Sequence, residues 1–275
     1  MKLQIFQVDA FTSEPFGGNP AAVVPLESWL EDDVMLKIAA ENNLSETAFF
    51  VKEGDRYHIR WFTPTIEVNL CGHATLATSH VIFNELGLEK DEIKFHSDRS
   101  GELGVEKQGD LMVLDFPAYP MKEIATLPEL VNVEVPPLRS WETQGNMLIM
   151  LLRNQEEVRS LDPDMDQVAK LPYDEIIITA KGDDCDFASR MFAPRIGIPE
   201  DPVTGAIHCS LIPYWASELG KNKLFARQVS KRGGELHCEL AGERVKIGGN
   251  AVTFLKGEIF GQVTPQSSRG AQSSS

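Results

Sequence analysis

One pattern occurs twice, in the same order, along this chain of 275 residues. Arg60-Trp61-Phe62-Thr63-Pro64 returns as Arg190-Met191-Phe192-Ala193-Pro194. The stretch from Gly72 to Glu85-Leu86-Gly87 returns as Gly205 to Glu218-Leu219-Gly220, and in both copies the opening glycine stands 15 residues before the closing one. A single shared tripeptide arises easily by chance, but two matched blocks in one order do not. The chain reads as an internal duplication that folds into two pseudo-symmetric halves. Each half carries a strand, a Phe-x-Pro turn, a loop and a long helix that ends at Glu-Leu-Gly.

Local patterns fill in the plan. Lys2 to Ala10 alternates as a strand, and Asn19 to Val24 reads as a second one after the Gly17-Gly18 turn. Asp32 or Asp33 is placed to cap a helix running to about Glu41. Thr47–Val51 and Tyr57–Phe62 are rich in β-formers. Leu70 to Leu86 reads as a helix that is apolar on most faces in its second part, with Leu76, Ala77, Val81, Ile82, Phe83 and Leu86, so it belongs in the core. Pro213 falls inside the matching second helix, where it removes one hydrogen bond and favours a kink. The fold class is α+β, each half a barrel-like β-sheet around a central helix. The proline-rich run Asp115-Phe116-Pro117-Ala118-Tyr119-Pro120 supplies the crossing. The expected halves are 1–118, with a central helix near 72–86, and 119–263, with one near 205–219. A final strand near Ala251 to Ile259 is expected to return to the first half, and 264–275, rich in Ser, Gln and Gly, reads as a disordered tail.

Composition limits the partners. The formal net charge is −15, which argues against nucleic acid and against an anionic membrane surface. It leaves room for a small anionic metabolite, because a helix N-terminus is locally positive even in an acidic protein. No apolar run approaches the roughly 18 residues of a membrane span, and the first residues read as a strand and not as a secretory leader, so a cytoplasmic setting is expected. Cys71, Cys185, Cys209 and Cys238 form no CxxC pair, and His58, His80, His96, His208 and His237 show no ligand-like spacing. No metal and no cofactor are expected.

Two buried helices that both begin at a glycine suggest paired anion sites. Their first N–H groups lack partners within the helix, and a glycine lets a ligand approach that backbone closely. If the halves face each other, Gly72-His73 and Gly205-Ala206 point into one cleft. A carboxylate held there has its neighbouring C–H acidified, because the donors stabilise the charge that develops on proton loss. The competing reading is that these glycines only relieve packing.

Several segments carry a family likeness. Phe16-Gly17-Gly18-Asn19-Pro20-Ala21-Ala22-Val23, Ser45-Glu46-Thr47-Ala48-Phe49, Cys71-Gly72-His73-Ala74-Thr75-Leu76-Ala77 and Glu200-Asp201-Pro202-Val203-Thr204-Gly205 resemble the signatures of the PhzF-like (phenazine-biosynthesis) isomerases, in the expected order over residues 5 to 260. The resemblance implies a fold similar to diaminopimelate epimerase, a homodimer, and a cofactor-independent acid/base isomerase working in the cleft between the halves. It puts the catalytic carboxylate on Glu46, the histidine of the first helix start on His73 and the aspartate before the second helix on Asp201. Cys71, Gly72, Thr204, Gly205 and Ala206 would then line the substrate. The phenazine enzyme has a serine where this chain has Ala206, so its substrate does not carry over.

Each of these residues also has an ordinary role. A lone glutamate at a loop-to-strand junction is commonly solvated or capping. A glutamate in a site can take a proton from one carbon and deliver it to another, giving a 1,3-shift. His73 could hydrogen-bond backbone, or its neutral imidazole could steady an enol or donate a proton. Asp201 could cap the second helix or orient the substrate. In the related epimerases and proline racemases a cysteine precedes each helix glycine, whereas here Cys71 faces Thr204 across the repeat. A thiol pair is therefore missing, although a helix N-terminus would lower the pKa of Cys71 and a one-thiol epimerase or dehydratase is the second reading. A third is a non-catalytic small-molecule-binding protein.

Overall fold

The computed structural model describes residues 2–124 and 136–261. The proposed tail lies outside them. The first part of the chain runs β1 (Lys2–Ala10), β2 (Asn19–Leu26), α1 (Asp32–Asn42), β3 (Glu46–Glu53), β4 (Arg56–Phe62), β5 (Glu67–Val68), α2 (Gly72–His80), β6 (Glu92–Ser97), β7 (Gly101–Gln108), β8 (Leu111–Pro117) and β9 (Met121–Glu123). The second runs β10 (Arg139–Thr143), β11 (Met147–Leu151), α3 (Gln155–Ser160), α4 (Met165–Val168), β12 (Glu175–Lys181), β13 (Phe187–Ala193), β14 (Ile198–Asp201), α5 (Gly205–Leu219), β15 (Lys223–Gln228), β16 (Gly234–Ala241), β17 (Arg244–Gly249) and β18 (Ala251–Phe260).

The repeat read from the sequence is a repeat of sheet topology. In the first half β1–β2 is antiparallel, β2–β3 parallel, β3–β4 antiparallel, β4–β6 parallel, and β6–β7–β8 antiparallel. In the second half β10–β11, β11–β12, β12–β13, β13–β15 and β15–β16–β17 follow the same alternation. The Arg-x-Phe segments do the same work in each copy. Arg60 lies over the Phe62 ring at 5.1 Å and donates to both oxygens of Glu67. Arg190 lies over Phe192 at 4.8 Å and donates to both oxygens of Glu200. A fork of this kind fixes the crossing of two strands more firmly than a single contact would. The halves are stitched by β8 against β17 and by β18 returning antiparallel to β1, as expected of the last strand.

A helix runs through the middle of each half. Every residue from His73 to His80 is buried, so α2 meets protein on all sides. Its polar residues are satisfied along the helix itself. Thr75, Thr78 and Ser79 each donate to the carbonyl four residues back, at 2.6, 2.7 and 2.8 Å. The continuous helix to Leu86 read from the sequence is corrected here. Regular α-helix stops at His80 and a π-helical turn, Val81–Glu85, follows, with Leu86 N bonding Val81 O. Gly87, at φ +70°, then ends it. α5 runs unbroken as helix past Pro213 and ends at Gly220, φ +65°. α1 is also adjusted: its N-cap is Glu31, and Asp32 and Asp33 lie inside the first turn.

Candidate active site

The starts of α2 and α5 meet at the junction of the halves. A Cβ built on Gly72 would lie 3.8 Å from Gly205 Cα, and one on Gly205 would lie 3.9 Å from Gly72 Cα. Those are ordinary contacts. Packing alone therefore does not require glycine at either place, and the two bare N-termini face each other.

The side chains around them arrive from distant parts of the chain. Gly18, at φ +58°, makes the turn before β2; a Cβ there would sit 2.1 Å from Ala10 O, so only glycine fits. The turn delivers Asn19, fully buried, across to the second half. Its amide donates to Asp201 Oδ1 at 2.8 Å and to Val203 O at 2.9 Å. These two shorter bonds use both amide hydrogens, while His73 Nδ1 lies 3.2 Å away. The loop behind the turn is pinned by Arg232, which donates to Gly17 O, Gly18 O and Asp9 Oδ1 at 2.7, 2.8 and 2.8 Å.

Glu46 opens β3, at the edge of this cluster. Its Oε2 is buried and sits 3.1 Å from His73 Nε2, an ion pair without the alignment of a hydrogen bond. Cys71 Sγ lies 3.4 Å from Nδ1 and 3.9 Å from Nε2 of the same ring. Burial works against a charged imidazole, but the Cys71 sulfur and the Glu46 carboxylate outweigh it and hold the His73 pKa well above its ordinary value. That direction favours the charged imidazole beside Glu46. The expectation of a lowered Cys71 pKa is corrected. Burial first, and the Glu46 charge second, push its thiol up to about 11, overriding the lowering effect of the helix start.

Asp201 does not cap α5. The N-cap is Thr204, and Asp201 Oδ2 instead accepts from the Thr204 hydroxyl. Burial raises the Asp201 pKa, while His73, Thr204 and Asn19 work against the rise. Gln228 locks the arrangement by accepting from Thr204 N at 2.8 Å and donating to Asp201 O at 2.8 Å. Ala206 follows Gly205 in the first turn of α5 and adds no polar group. Among the described residues, Glu46, Cys71 and His73 also bring metal-ligating atoms within 4.8 Å of one another.

The structure therefore brings together Glu46, Cys71, Gly72, His73, Asp201, Thr204 and Gly205, all singled out in the sequence. Asn19, Gln228 and Val203 O were missed. Asn19 lies in the Gly-Gly-Asn-Pro motif and could have been found there; Gln228 had no such signal. A cavity of about 410 Å³ lined in part by Arg159, Arg227, Gln228 and Arg232 opens beside this cluster and does not include Glu46 or His73.

Two sheet-wrapped central helices with their N-termini opposed across a charged junction define the diaminopimelate-epimerase-like class of folds. Residues 8–257 match the family model described as phenazine biosynthesis-like protein, PhzC-PhzF. An uncharacterized isomerase of Pseudomonas aeruginosa is 50% identical over 260 residues, covering 94% of this chain and 99% of that protein. A crystal structure of a phenazine biosynthesis protein of the PhzF family from Enterococcus faecalis aligns with a TM-score of 0.91 and 46% identity, covering 94% of this chain and all of that one. A hydroxyproline epimerase from Agrobacterium vitis shares the fold alone, with a TM-score of 0.59 at 11% identity over 96% of this chain and 93% of its own. The chain belongs to the PhzC-PhzF, phenazine biosynthesis-like, family. Among the described residues no helix is long and apolar enough to cross a membrane.

Proposed function

We propose that the chain is an isomerase that moves a proton within a small carboxylate-bearing molecule, with Glu46 as the transferring base. The observation that carries this reading is the buried Glu46 oxygen, 3.1 Å from His73 at the start of one central helix and lacking any hydrogen bond of its own. A carboxylate held by that one ion pair keeps acceptor capacity free for a substrate proton.

The substrate carboxylate sits between the opposed N-termini, where the free N–H groups of Gly72, His73, Gly205 and Ala206 face it. Glu46 takes a proton from the adjacent carbon, and the C–H electron pair moves into the conjugated carboxylate. The His73 cation and the helix starts stabilise the added charge. The proton is delivered two carbons further on, completing a 1,3-shift. Asp201, held by Asn19 and Thr204, orients the second helix start. Cys71 is a poor base in this setting, with its thiol pushed up to about 11, and Thr204 offers no second thiol. The working form is taken as a cytoplasmic homodimer.

The test is proton exchange in D₂O with cyclohex-2-ene-1-carboxylate, whose C1–H is allylic and next to a carboxylate. The protein should wash out C1–H and form cyclohex-1-ene-1-carboxylate. Glu46→Gln should abolish both and leave benzoate binding nearly intact. Full activity in Glu46→Gln together with loss of activity in Cys71→Ser would transfer the role to the thiol.

A further inference from the structure

The sheet register relates Glu46 to one other residue. In the first half Thr47 pairs with Phe62 and Phe49 with Arg60. In the second, Ile176 pairs with Phe192 and Ile178 with Arg190. Phe62 and Phe192, like Arg60 and Arg190, are repeat equivalents. Thr47 therefore corresponds to Ile176, and Glu46 to Glu175. Both glutamates open their strands, and both strands pair in parallel with the preceding one, Glu46 opposite Ala21 and Glu175 opposite Met147.

The faces agree too. Side chains alternate along a strand. Ala48 and Phe50, on the Glu46 face of β3, belong to the core around the central helices, and so does Ile177, on the Glu175 face of β12. Their neighbours turn outward: Phe49 and Val51 pack in one outer cluster, Ile176 and Ile178 in another. Among the described residues, the only buried carboxylate oxygens without a hydrogen bond are Glu46 Oε2 and Glu175 Oε2.

We infer that Glu175 is a second acid/base carboxyl of the site, standing on the second half where Glu46 stands on the first, so that one takes the substrate proton and the other supplies the new one. The inference rests on the proton-transfer reading of Glu46 and divides its labour. The repeat is broken at one position that sets the two roles. His73 gives Glu46 a cation, and the matching position after Gly205 is Ala206. Burial first, and then the charges of Asp201 and of its chain neighbour Asp174, raise Glu175 from the ordinary 4.5 to about 7. Paired carboxyls with opposed surroundings are the usual means of dividing acid from base. Glu46 as carboxylate takes a proton from substrate carbon, and the electron pair shifts into the conjugated system. The protonated Glu175 gives its proton to the far carbon as the new C–H bond forms. Exchange with water returns both groups to their starting states.

Three variants and two readouts test this. With cyclohex-2-ene-1-carboxylate in D₂O, wild type should place solvent deuterium at C3 of the product. Glu175→Gln, isosteric and unable to give up a proton, should lose isomerisation about 100-fold while still exchanging C1–H. Glu175→Asp should recover part of the loss. Glu46→Gln should lose both exchange and isomerisation. Exchange lost in Glu46→Gln with isomerisation untouched in Glu175→Gln would overturn the inference and leave the Glu46 reading standing. Exchange and isomerisation both retained in Glu46→Gln would sink that reading, and this inference with it. Benzoate calorimetry decides independently of turnover. Wild type should bind more weakly at pH 8 than at pH 6, as Glu175 ionises near the bound anion within the field of Asp201 and Asp174. Glu175→Gln should bind equally at both. The same pH dependence in both proteins, or no benzoate binding at either pH, overturns the inference.

Discussion

Asn19→Leu removes a side chain that ties the first half to the aspartate and carbonyl of the second. The replacement has similar volume, so the cost comes from hydrogen bonding and not from a cavity. Asn19 is fully buried and gives one bond to the Asp201 carboxyl and one to Val203 O. A buried bond to a charged acceptor is worth about 1.5–3 kcal/mol and a neutral one about 0.5–1.5 kcal/mol. Both acceptors would be stranded where water does not reach, so the expected loss is about 3–4 kcal/mol. For a chain of this size that lowers Tm by roughly 10 °C. The assay is urea unfolding followed by fluorescence and circular dichroism together, so that any loss of two-state behaviour is visible. Ser45→Ala is the control. Its hydroxyl reaches Asn19 Oδ1 only at 3.4 Å from a half-buried position, and its loss should cost less than about 1 kcal/mol. In Asn19→Leu the Asp201 pKa should rise further, because a donor to its charged form is gone. A loss below about 1 kcal/mol in Asn19→Leu would refute the view that this amide holds the junction together.

The remaining predictions concern other parts of the site. Glu175 has a folded pKa of about 7 against an ordinary 4.5, so the folded state prefers its acid form and stability falls as pH rises through that window. Glu175→Gln should match wild type at pH 4 and exceed it at pH 8 by up to about 3 kcal/mol in urea unfolding; equal curves at both pH values would contradict the burial argument. Cys71 and Cys185 are both pushed up to about 11, so exposure decides between them: at pH 8 iodoacetamide should label the half-buried Cys185 first and the buried Cys71 slowly, as read by peptide mass spectrometry. Rapid labelling of Cys71 would show that the helix start wins over burial. Gly18→Ala should cost more than about 3 kcal/mol, combining a left-handed backbone with a Cβ 2.1 Å from Ala10 O. Gly54→Ala, at φ +61° with open space around it, should cost only about 1 kcal/mol. Similar melting temperatures for the two variants would refute the steric part of the argument.

The duplication was legible because it is written in neighbours. Arg-x-Phe, the opening glycine and the Glu-Leu-Gly stop are local signals, and the structure builds from them the same strand alternation twice. The central helices were legible from their apolar faces, although the π-helical turn at Val81–Glu85 was not, since residue type does not distinguish a turn widened by one residue. Glu46, His73 and Asp201 were picked out by segments that resemble family motifs, and the paired glycines by the spacing of the repeat. Their electrostatics were not. Asn19 lies 182 residues from Asp201 and Gln228 lies 24 from Thr204, and no local pattern relates residues so far apart.

What the sequence determined by itself was a doubled α+β plan with two glycine-started helices and a short list of polar groups near their ends. Tertiary structure alone decided which charges face which. A helix start should have sharpened the Cys71 thiol, yet burial and the nearby Glu46 carboxylate suppressed it. His73 was open between neutral and charged until the fold brought Glu46 and Cys71 beside its ring. Glu175 carries no motif at all, and only the strand register sets it against Glu46. Hydrophobic pattern and turn chemistry act over a few residues of chain and so survive in the sequence. The charge state of a buried group depends on desolvation and on whatever lies within a few ångströms, and that neighbourhood exists only once the two halves have met.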